Sequence, residues 1–275
     1  MTKKILITGA SGGFGKLIVF ALLQKGHSVA ASMRDINGKN KSIADELSKA
    51  GAKIIEIDVT DDTSVNNGVQ KAIAELNGLD VLINNAGYYL SGLAEETTIE
   101  QGKQQFETNF WGTIKLTNAL LPHFRKQRFG KIITVGSIMG LFNFPSAAYY
   151  GASKHALEGY FKSLRFELNE FNIKVAMVEP MGFKTGIISN SFAAEGKINE
   201  YDTYRNKIDK FSKELFENSP EPTPVINTLL KLIEDKNPTF SHPVGKGAST
   251  IWALQHFAYI TFENSILKNI NKFKN

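Results

Sequence analysis

Along most of this chain, short apolar runs rich in β-branched residues alternate with stretches in which apolar residues recur every three or four positions. Residues 4–8 form the first run and read as a buried strand, since its centre is continuously apolar. After a glycine-rich turn, Leu17, Ile18, Ala21 and Leu22 mark a helix over 16–25. The same reading predicts strands over 27–33, 53–57, 79–83, 131–135 and 173–178, the last stopped by Glu179 and Pro180. Helices are predicted over 41–50, 61–77, 98–127 and 147–171, with Pro122 as a kink or early end of the 98–127 helix. Parallel neighbours need crossover connections, and these are right-handed. The alternation therefore predicts an α/β fold, a doubly wound parallel sheet with helices on both faces, in one domain spanning 1–275.

Past Gly182 the pattern loosens. Residues 186–221 are polar, with Phe192, Tyr201, Tyr204, Phe211 and Phe216 scattered among them, and predict a helical insertion over the site. A helix comes next over 223–235, then a last strand over 239–244 weakened by Pro243. Residues 248–270 predict a C-terminal helical extension containing Trp252, Phe257, Tyr259 and Phe262. The aromatics of these two regions either line an apolar pocket or pack as core, and core packing is the commoner use of such residues.

Composition narrows the function. With 275 residues and 42% apolar content the chain can bury a large core. It contains no cysteine, so disulfides, thiol catalysis and zinc–thiolate sites are excluded. His27, His123, His155, His242 and His256 are scattered without metal-ligand spacing. The net charge of +5 suits attraction to phosphates, yet no dense Lys/Arg block points to nucleic acid. The N-terminus has no apolar signal region and no run reaches the length of a membrane span, so a cytoplasmic location is expected.

Three clusters carry candidate chemistry. Strand, glycine turn and helix open the chain as a dinucleotide-binding βαβ unit does. A Gly-x-Gly-x-x-Gly reading from Gly13 fails at Ile18; what fits is Thr8-Gly9-x-x-x-Gly13-x-Gly15. Glycines there let the backbone approach a pyrophosphate, and the helix N-terminus offers free N–H groups. Asp58, ending the third strand, is placed to accept from an adenine amino group or to cap the next helix with Thr60 and Asp61. Tyr150 and Lys154 are four apart on one helix face, where an ammonium lowers a phenol's pKa. Ser137, after the fifth strand, offers a hydroxyl to a substrate oxygen beside the tyrosine. Tyr149 lies five from Lys154, which makes Tyr150 the better candidate.

Thr8-Gly9-x-x-x-Gly13-x-Gly15, Asn84-Asn85-Ala86-Gly87, Asn109, Ser137, Tyr150-x-x-x-Lys154 and Pro180-x-Gly182-x-x-Thr185 occur in this order. Together they resemble the short-chain dehydrogenase/reductase family, a Rossmann-type fold, over about residues 3–190. The Met33-Arg34-Asp35 turn, the run from Asn109 to Thr113 and the aromatic C-terminus look like the branch containing 17β-hydroxysteroid and retinol dehydrogenases. One departure is Pro180-Met181-Gly182, where the family usually has Pro-Gly, which puts the local loop shape in question.

The resemblance implies hydride transfer between a nicotinamide cofactor and a carbonyl or alcohol of a small molecule. Tyr150 would exchange the proton, Ser137 would polarise the carbonyl, and Lys154 would tune the tyrosine and bind the nicotinamide ribose. Asn109 would hold a water that extends the proton relay. Cofactor contacts would come from Thr8, Gly9, Ser11, Gly13, Phe14, Gly15, Arg34, Asp58, Val59, Asn85, Ala86, Gly87, Tyr150, Lys154, Pro180 and Gly182, with Thr185 on the carboxamide. An acidic residue closing the second strand favours NAD, and a nearby arginine accommodates the 2′-phosphate of NADP. Met33 stands at the acidic position and Arg34 comes next, so NADP is preferred over NAD; Asp35 is near the expected acidic spacing but falls in the loop. A homodimer or homotetramer through the 98–127 and 147–171 helices is also implied. Two alternatives compete. A non-catalytic cofactor-binding sensor or scaffold predicts damage among Asn109, Ser137, Tyr150 and Lys154, and all four are present. Epimerase or dehydratase relatives predict a differently spaced glycine turn and a longer C-terminal domain.

Overall fold

A parallel sheet of seven strands organises the computed structural model, which describes residues 2–186, 191–217 and 219–272. Its strands are β1 (Lys4–Ile7), β2 (Ser28–Met33), β3 (Lys53–Glu56), β4 (Val81–Asn84), β5 (Gly130–Val135), β6 (Ile173–Pro180) and β7 (Ser241–Val244). They run β3-β2-β1-β4-β5-β6-β7 across the sheet. Period-two geometry splits each strand between two cores. Ile5 and Ile7 face one side, with Ile18, Leu22, Leu47, Val225 and Leu229. Leu6 faces the other, with Val65, Val69, Leu116, Leu120, Leu157 and Phe161. Accordingly α1 (Gly13–Gln24), α2 (Lys41–Lys49) and α8 (Thr223–Glu234) cover the first face. The second face is covered by α3 (Asp62–Leu76), α5 (Gly112–Gln127) and α6 (Ala148–Asn169). The doubly wound parallel sheet is as the pattern predicts, and the order reverses between β1 and β4, where such folds open a crevice.

Two boundaries depart from the sequence reading. Pro122 neither ends nor bounds its helix: α5 runs through it to Gln127. Leu116, Leu120 and Phe124 are fully buried on either side of it, and their packing outweighs one lost hydrogen bond. The irregular part comes earlier, where α4 (Ile99–Phe106) passes into a π turn over Glu107–Trp111 before α5 begins. Second, β6 continues through Glu179 and Pro180, which pair with Pro243 and Val244 of β7. Both prolines lie at the edge of the sheet or at a strand end, where a missing N–H is tolerated.

The insertion contains α7 (Asp202–Glu217), and a short strand, Phe192–Ala193, pairs with Leu90–Ser91 after β4. Arg205 of α7 pairs with the buried Glu96, and Glu96 also accepts from the Ile198 N–H at 2.8 Å, so charge pins the insertion to the body. The C-terminal segment forms α9 (Ala248–Phe257) and α10 (Tyr259–Asn271). Residues 187–190, and the side chains of Phe216, His256, Tyr259 and Phe262, lie outside the described residues. Among those described, no helix is long and apolar enough to cross a membrane.

One residue read only as a strand position ties the last crossover down. Lys131 is buried, and its Nζ donates to the carbonyls of Leu232, Ile233 and Asp235 at 2.6, 2.7 and 2.6 Å. These are the C-terminal carbonyls of α8, which have no partner within the helix. Burial draws the ammonium down to about 8, partly opposed by Asp235. Lys131→Met should cost about 2 kcal/mol or more in urea unfolding, because three buried acceptors lose a charged donor; a loss within ~0.5 kcal/mol would contradict that role.

Candidate active site

The C-terminal ends of β1 and β4 are joined by one hydroxyl. Thr8 Oγ1 accepts from the N–H groups of Asn85 and Ala86 at 3.0 and 3.1 Å. In return the Asn85 amide donates to the carbonyls of Thr8 and Gly9 at 2.9 and 3.2 Å. Asn85 thereby holds the glycine turn. Gly9 adopts φ +65°, and a Cβ there would stand 2.9 Å from the Ala86 Cα, so both the left-handed turn and the close approach require glycine. Above this turn α1 begins with no capping side chain, and around Gly12 there is no atom within 4 Å of a Cβ position. Free first-turn N–H groups facing open space suit a pyrophosphate, so these residues fit a dinucleotide.

The other sequence-selected residues converge on this edge. A Cβ on Gly13 would lie 3.2 Å from the Thr185 carbonyl, which places the loop after β6 directly over the turn. Phe14 meets Phe183 of that loop edge-to-face, with centroids 6.1 Å apart. The extra residue in this loop, Met181, is anchored by its N–H to the Val244 carbonyl at 2.8 Å, while Pro180 ends β6 and Gly182 lies beyond it in the loop. Gly15 lets α1 press on the Gly9 carbonyl, and Ser11 is half-buried beside it. Gly87 approaches the Asn109 amide, where a Cβ would meet Oδ1 at 3.1 Å. Val59 is buried against Gly112.

Asp58 does not cap α3; Asp61 does, accepting from Ser64. The Asp58 carboxylate accepts from the N–H and hydroxyl of Thr60 at 2.9 and 2.7 Å. Burial alone would raise its pKa, but those bonds and the charges of Arg34 and Lys115 hold it below the ordinary value. Met33 is buried in the core, whereas Arg34 is exposed. Asp35 has φ +52°, and its carboxylate accepts from the Lys39 N–H at 2.7 Å, filling the space that Gly38 leaves. That acid is committed to its own loop.

Tyr150 is buried, with the Ser137 hydroxyl close enough to influence its phenol and its ring edge-to-face on Tyr89 at 4.8 Å. Ser137 comes directly after β5, and its Oγ accepts from the Met139 N–H at 3.1 Å. Tyr149 turns to the outer side of α6, against Gly102. Lys154 is buried one turn from Tyr150, and its Nζ donates to the Val135 carbonyl at 3.1 Å. Burial brings this ammonium down to about 8, with Glu158 opposing. The spacing argument has Lys154 lowering the phenol, but in the folded chain the phenol goes the other way. Burial pushes Tyr150 up to about 12 and the Ser137 bond opposes only part of it. The reason is distance: Nζ stands 5.8 Å from the ring centre and is turned to Val135.

Asn109 lies in the π turn, a feature that often marks functional backbone. Its side chain is fully engaged: Oδ1 accepts from the Tyr88 N–H and Nδ2 donates to the Tyr88 carbonyl, both at 3.0 Å. Nδ2 also lies 3.4 Å from Ser153 Oγ, and the backbone carbonyl accepts from Thr113 Oγ1 at 2.9 Å. Sequence reasoning missed Tyr88, Tyr89, Glu158 and Glu179. The two glutamates carried a signal, one four residues past Lys154 and the other closing an apolar strand. Around Tyr150, Met139, Phe142 and Met181 form an apolar cluster with Trp252 of α9. Phe192 packs on Tyr88 and Phe211 on Phe144, while Tyr201 bonds Glu95 and Phe257 is exposed. The aromatics thus divide between packing beside the site and surface.

Residues 3–196 match the family model described as short chain dehydrogenase. The 3-ketodihydrosphingosine reductase of Bacteroides thetaiotaomicron is 36% identical, with 90% of each chain covered. Retinol dehydrogenase 8 of Bos taurus is 32% identical over 86% of this chain and 79% of its own. The solved structure of ElxO with NADP bound is 30% identical, with a TM-score of 0.75, covering 91% of this chain and all of that one.

The geometry leads to a direct titration. Ultraviolet difference spectra of the protein free of nucleotide, wild type minus Tyr150→Phe, should show one phenol ionising at about 12. Ser137→Ala should move it further up, since the lost bond opposes the rise. A midpoint at or below the ordinary ~10 would contradict the burial argument.

Proposed function

The chain belongs to the short-chain dehydrogenase family, and on that premise we propose that it is an NADP(H)-preferring oxidoreductase interconverting a carbonyl and an alcohol of a small molecule. The observation that carries this reading is Tyr150, buried at the C-terminal edge beside Ser137, with Lys154 one turn away. When bound, the nicotinamide supplies or takes the hydride. Everything else falls to side chains. Tyr150 passes its proton to the substrate oxygen. Ser137 donates to that oxygen and polarises the carbon beneath it. Lys154, still charged at neutral pH, stabilises the tyrosinate left behind and holds the nicotinamide ribose. Burial keeps the phenol protonated, so Tyr150 is in the form a general acid needs. The Asn109 side chain fixes Tyr88, and its carbonyl in the π turn, with one lone pair beyond the Thr113 bond, takes a water of the proton relay. Thr185 meets the carboxamide end, and Gly9, Gly13 and the α1 N-terminus hold the pyrophosphate.

For the cofactor, Arg34 is the exposed charge at the end of β2, and Asp35 is occupied by its own loop. A guanidinium suits a 2′-phosphate, and a carboxylate turned inward leaves a ribose 2′-hydroxyl without its usual acceptor. The relatives' names, a reductase of a keto compound and a dehydrogenase of an alcohol, suit the same reaction class. Exposed Ile99, Trp111 and Phe166 on α4, the π turn and α6 support a homodimer or homotetramer through these helices.

Fluorescence titration should show NADPH binding at least about tenfold tighter than NADH, with Arg34→Ala removing most of the difference. Preference for NADH, unchanged in that variant, would overturn the Arg34 assignment. Tyr150→Phe should keep nucleotide affinity within about twofold and lower kcat for NADPH-driven carbonyl reduction by about 100-fold or more. Nucleotide binding without turnover across a panel of ketones and aldehydes would favour a sensor instead. Sedimentation should find a dimer or tetramer, and a monomer would refute the helix interface.

A further inference from the structure

Directly behind Lys154 the fold buries two carboxyl groups that the proposed reaction does not use. Glu158 lies one turn further along α6, 3% exposed, and Glu179 lies on β6, fully buried. Glu179 Oε2 accepts from the His242 N–H at 2.7 Å. Both Glu158 oxygens and Glu179 Oε1 lack a hydrogen bond, the Lys162 ammonium approaching Glu158 Oε2 no nearer than an ion-pair distance. A Cβ at Gly136 would lie 3.4 Å from the Val178 carbonyl and 3.7 Å from Glu158 Oε1, which brings that carboxyl against β6 next to Glu179, and the two groups act on each other. Two acceptors facing one another form a bond only when one of them carries a proton. Two buried carboxylates side by side would repel in a poorly screened interior, so a single charge is the stable arrangement. The surroundings are specific. Glycines at 136 and 140 clear the room: a Cβ at Gly140 would meet the Lys154 carbonyl at 3.0 Å and Glu158 Cγ at 3.3 Å. The charged and titratable groups facing the pair are Lys154 and Lys162 from α6 and the neighbourhood of His242 from β7, with the Ser241 hydroxyl beside Glu179. Lys162 Nζ stands 3.5 Å from Glu158 and is half-exposed.

We propose that Glu158 and Glu179 share one proton and present a single negative charge that keeps the buried Lys154 an ammonium, which makes them positioning residues for the lysine. The role of Lys154 in turnover rests on the reaction proposed above; the shared proton does not. Burial drains charge from both partners: it draws Lys154 down and raises both carboxyls, Glu179 to about 8. A lone glutamate beside the lysine would be a simple buried ion pair. The doublet instead lets the proton sit on either oxygen while the net charge stays at one.

This arrangement has an uncommon consequence for substitutions. Glutamine mimics a protonated carboxyl, so Glu158→Gln or Glu179→Gln leaves one carboxylate, as in the wild type. Only Glu158→Gln with Glu179→Gln removes the charge. Infrared difference spectra of the full chain at neutral pH should show one deuterium-sensitive carboxylic-acid band in wild type, absent from each single variant. Its absence from wild type would overturn the shared proton. Lys154 titration, followed by NMR and assigned through Lys154→Met, should shift by less than about half a unit in the single variants. In the double variant it should fall by about one unit or more. The alkaline limb of kcat for NADPH-driven reduction should move down with it. An unmoved Lys154 in a folded double variant would overturn the positioning role. Because the infrared and NMR readouts need no turnover, a protein that reduced nothing would count against the proposed reaction alone.

Discussion

The Thr8–Asn85 clamp between β1 and β4 is the constraint on which the rest of the edge depends. These are the central neighbours of the sheet at which strand order reverses, so their helices leave in opposite directions and no crossover covers the gap. A gap of that kind exposes backbone ends that need partners. One threonine hydroxyl and one asparagine amide satisfy them by bonding across the gap rather than into it. With its own carbonyls held from behind, the glycine turn can leave the N–H groups of α1 facing outward. The residues best placed for a ligand are therefore those whose neighbours do structural work. Asn85, expected in cofactor contact, also does structural work, since it bonds Thr8 and Gly9 across the gap.

Burial then sets the charge states around Tyr150 and Lys154. Removing a phenol, an ammonium and two carboxyls from water disfavours every charged form at once. The phenol rises, the ammonium falls and the carboxyls rise, each from the same cause. Left alone, such groups would all become neutral. What keeps Lys154 useful is that its counter-charge is buried with it, one helical turn away, in a slot opened by Gly136 and Gly140. The loop that opens that slot also carries Ser137, so one short segment positions both the hydroxyl before Tyr150 and the acid behind Lys154.

The π turn over Glu107–Trp111 serves the same edge from a different direction. An extra residue in one turn loosens the helical hydrogen bonding there and rotates the helix beyond it. Asn109 sits inside it and spends its side chain on both backbone groups of Tyr88, the residue that continues from the Asn84–Gly87 strand end. Gly112, at the end of the turn, lets the helix settle on Val59. The long helix is therefore built around its contacts with the ends of β3 and β4, and it continues past Pro122, the conspicuous feature of its sequence.

Period and punctuation in the sequence were enough for the strand order's raw material: apolar runs, helical stripes and the glycine turn that fixes where the first crossover begins. They were enough also to gather Thr8, Gly13, Ser137, Tyr150 and Lys154 as candidates, because strand ends in a parallel sheet all emerge at one edge. Local patterning could not show Asp35 turned into its loop, Met33 buried beside an exposed Arg34, or Asn109 gripping Tyr88, since each depends on which neighbour reaches a side chain first. Nor could spacing set the charge of Tyr150. Four residues along a helix guarantee that tyrosine and lysine share a face, but only the packed structure decides how much water each loses, and in this fold that loss outweighs the attraction between them.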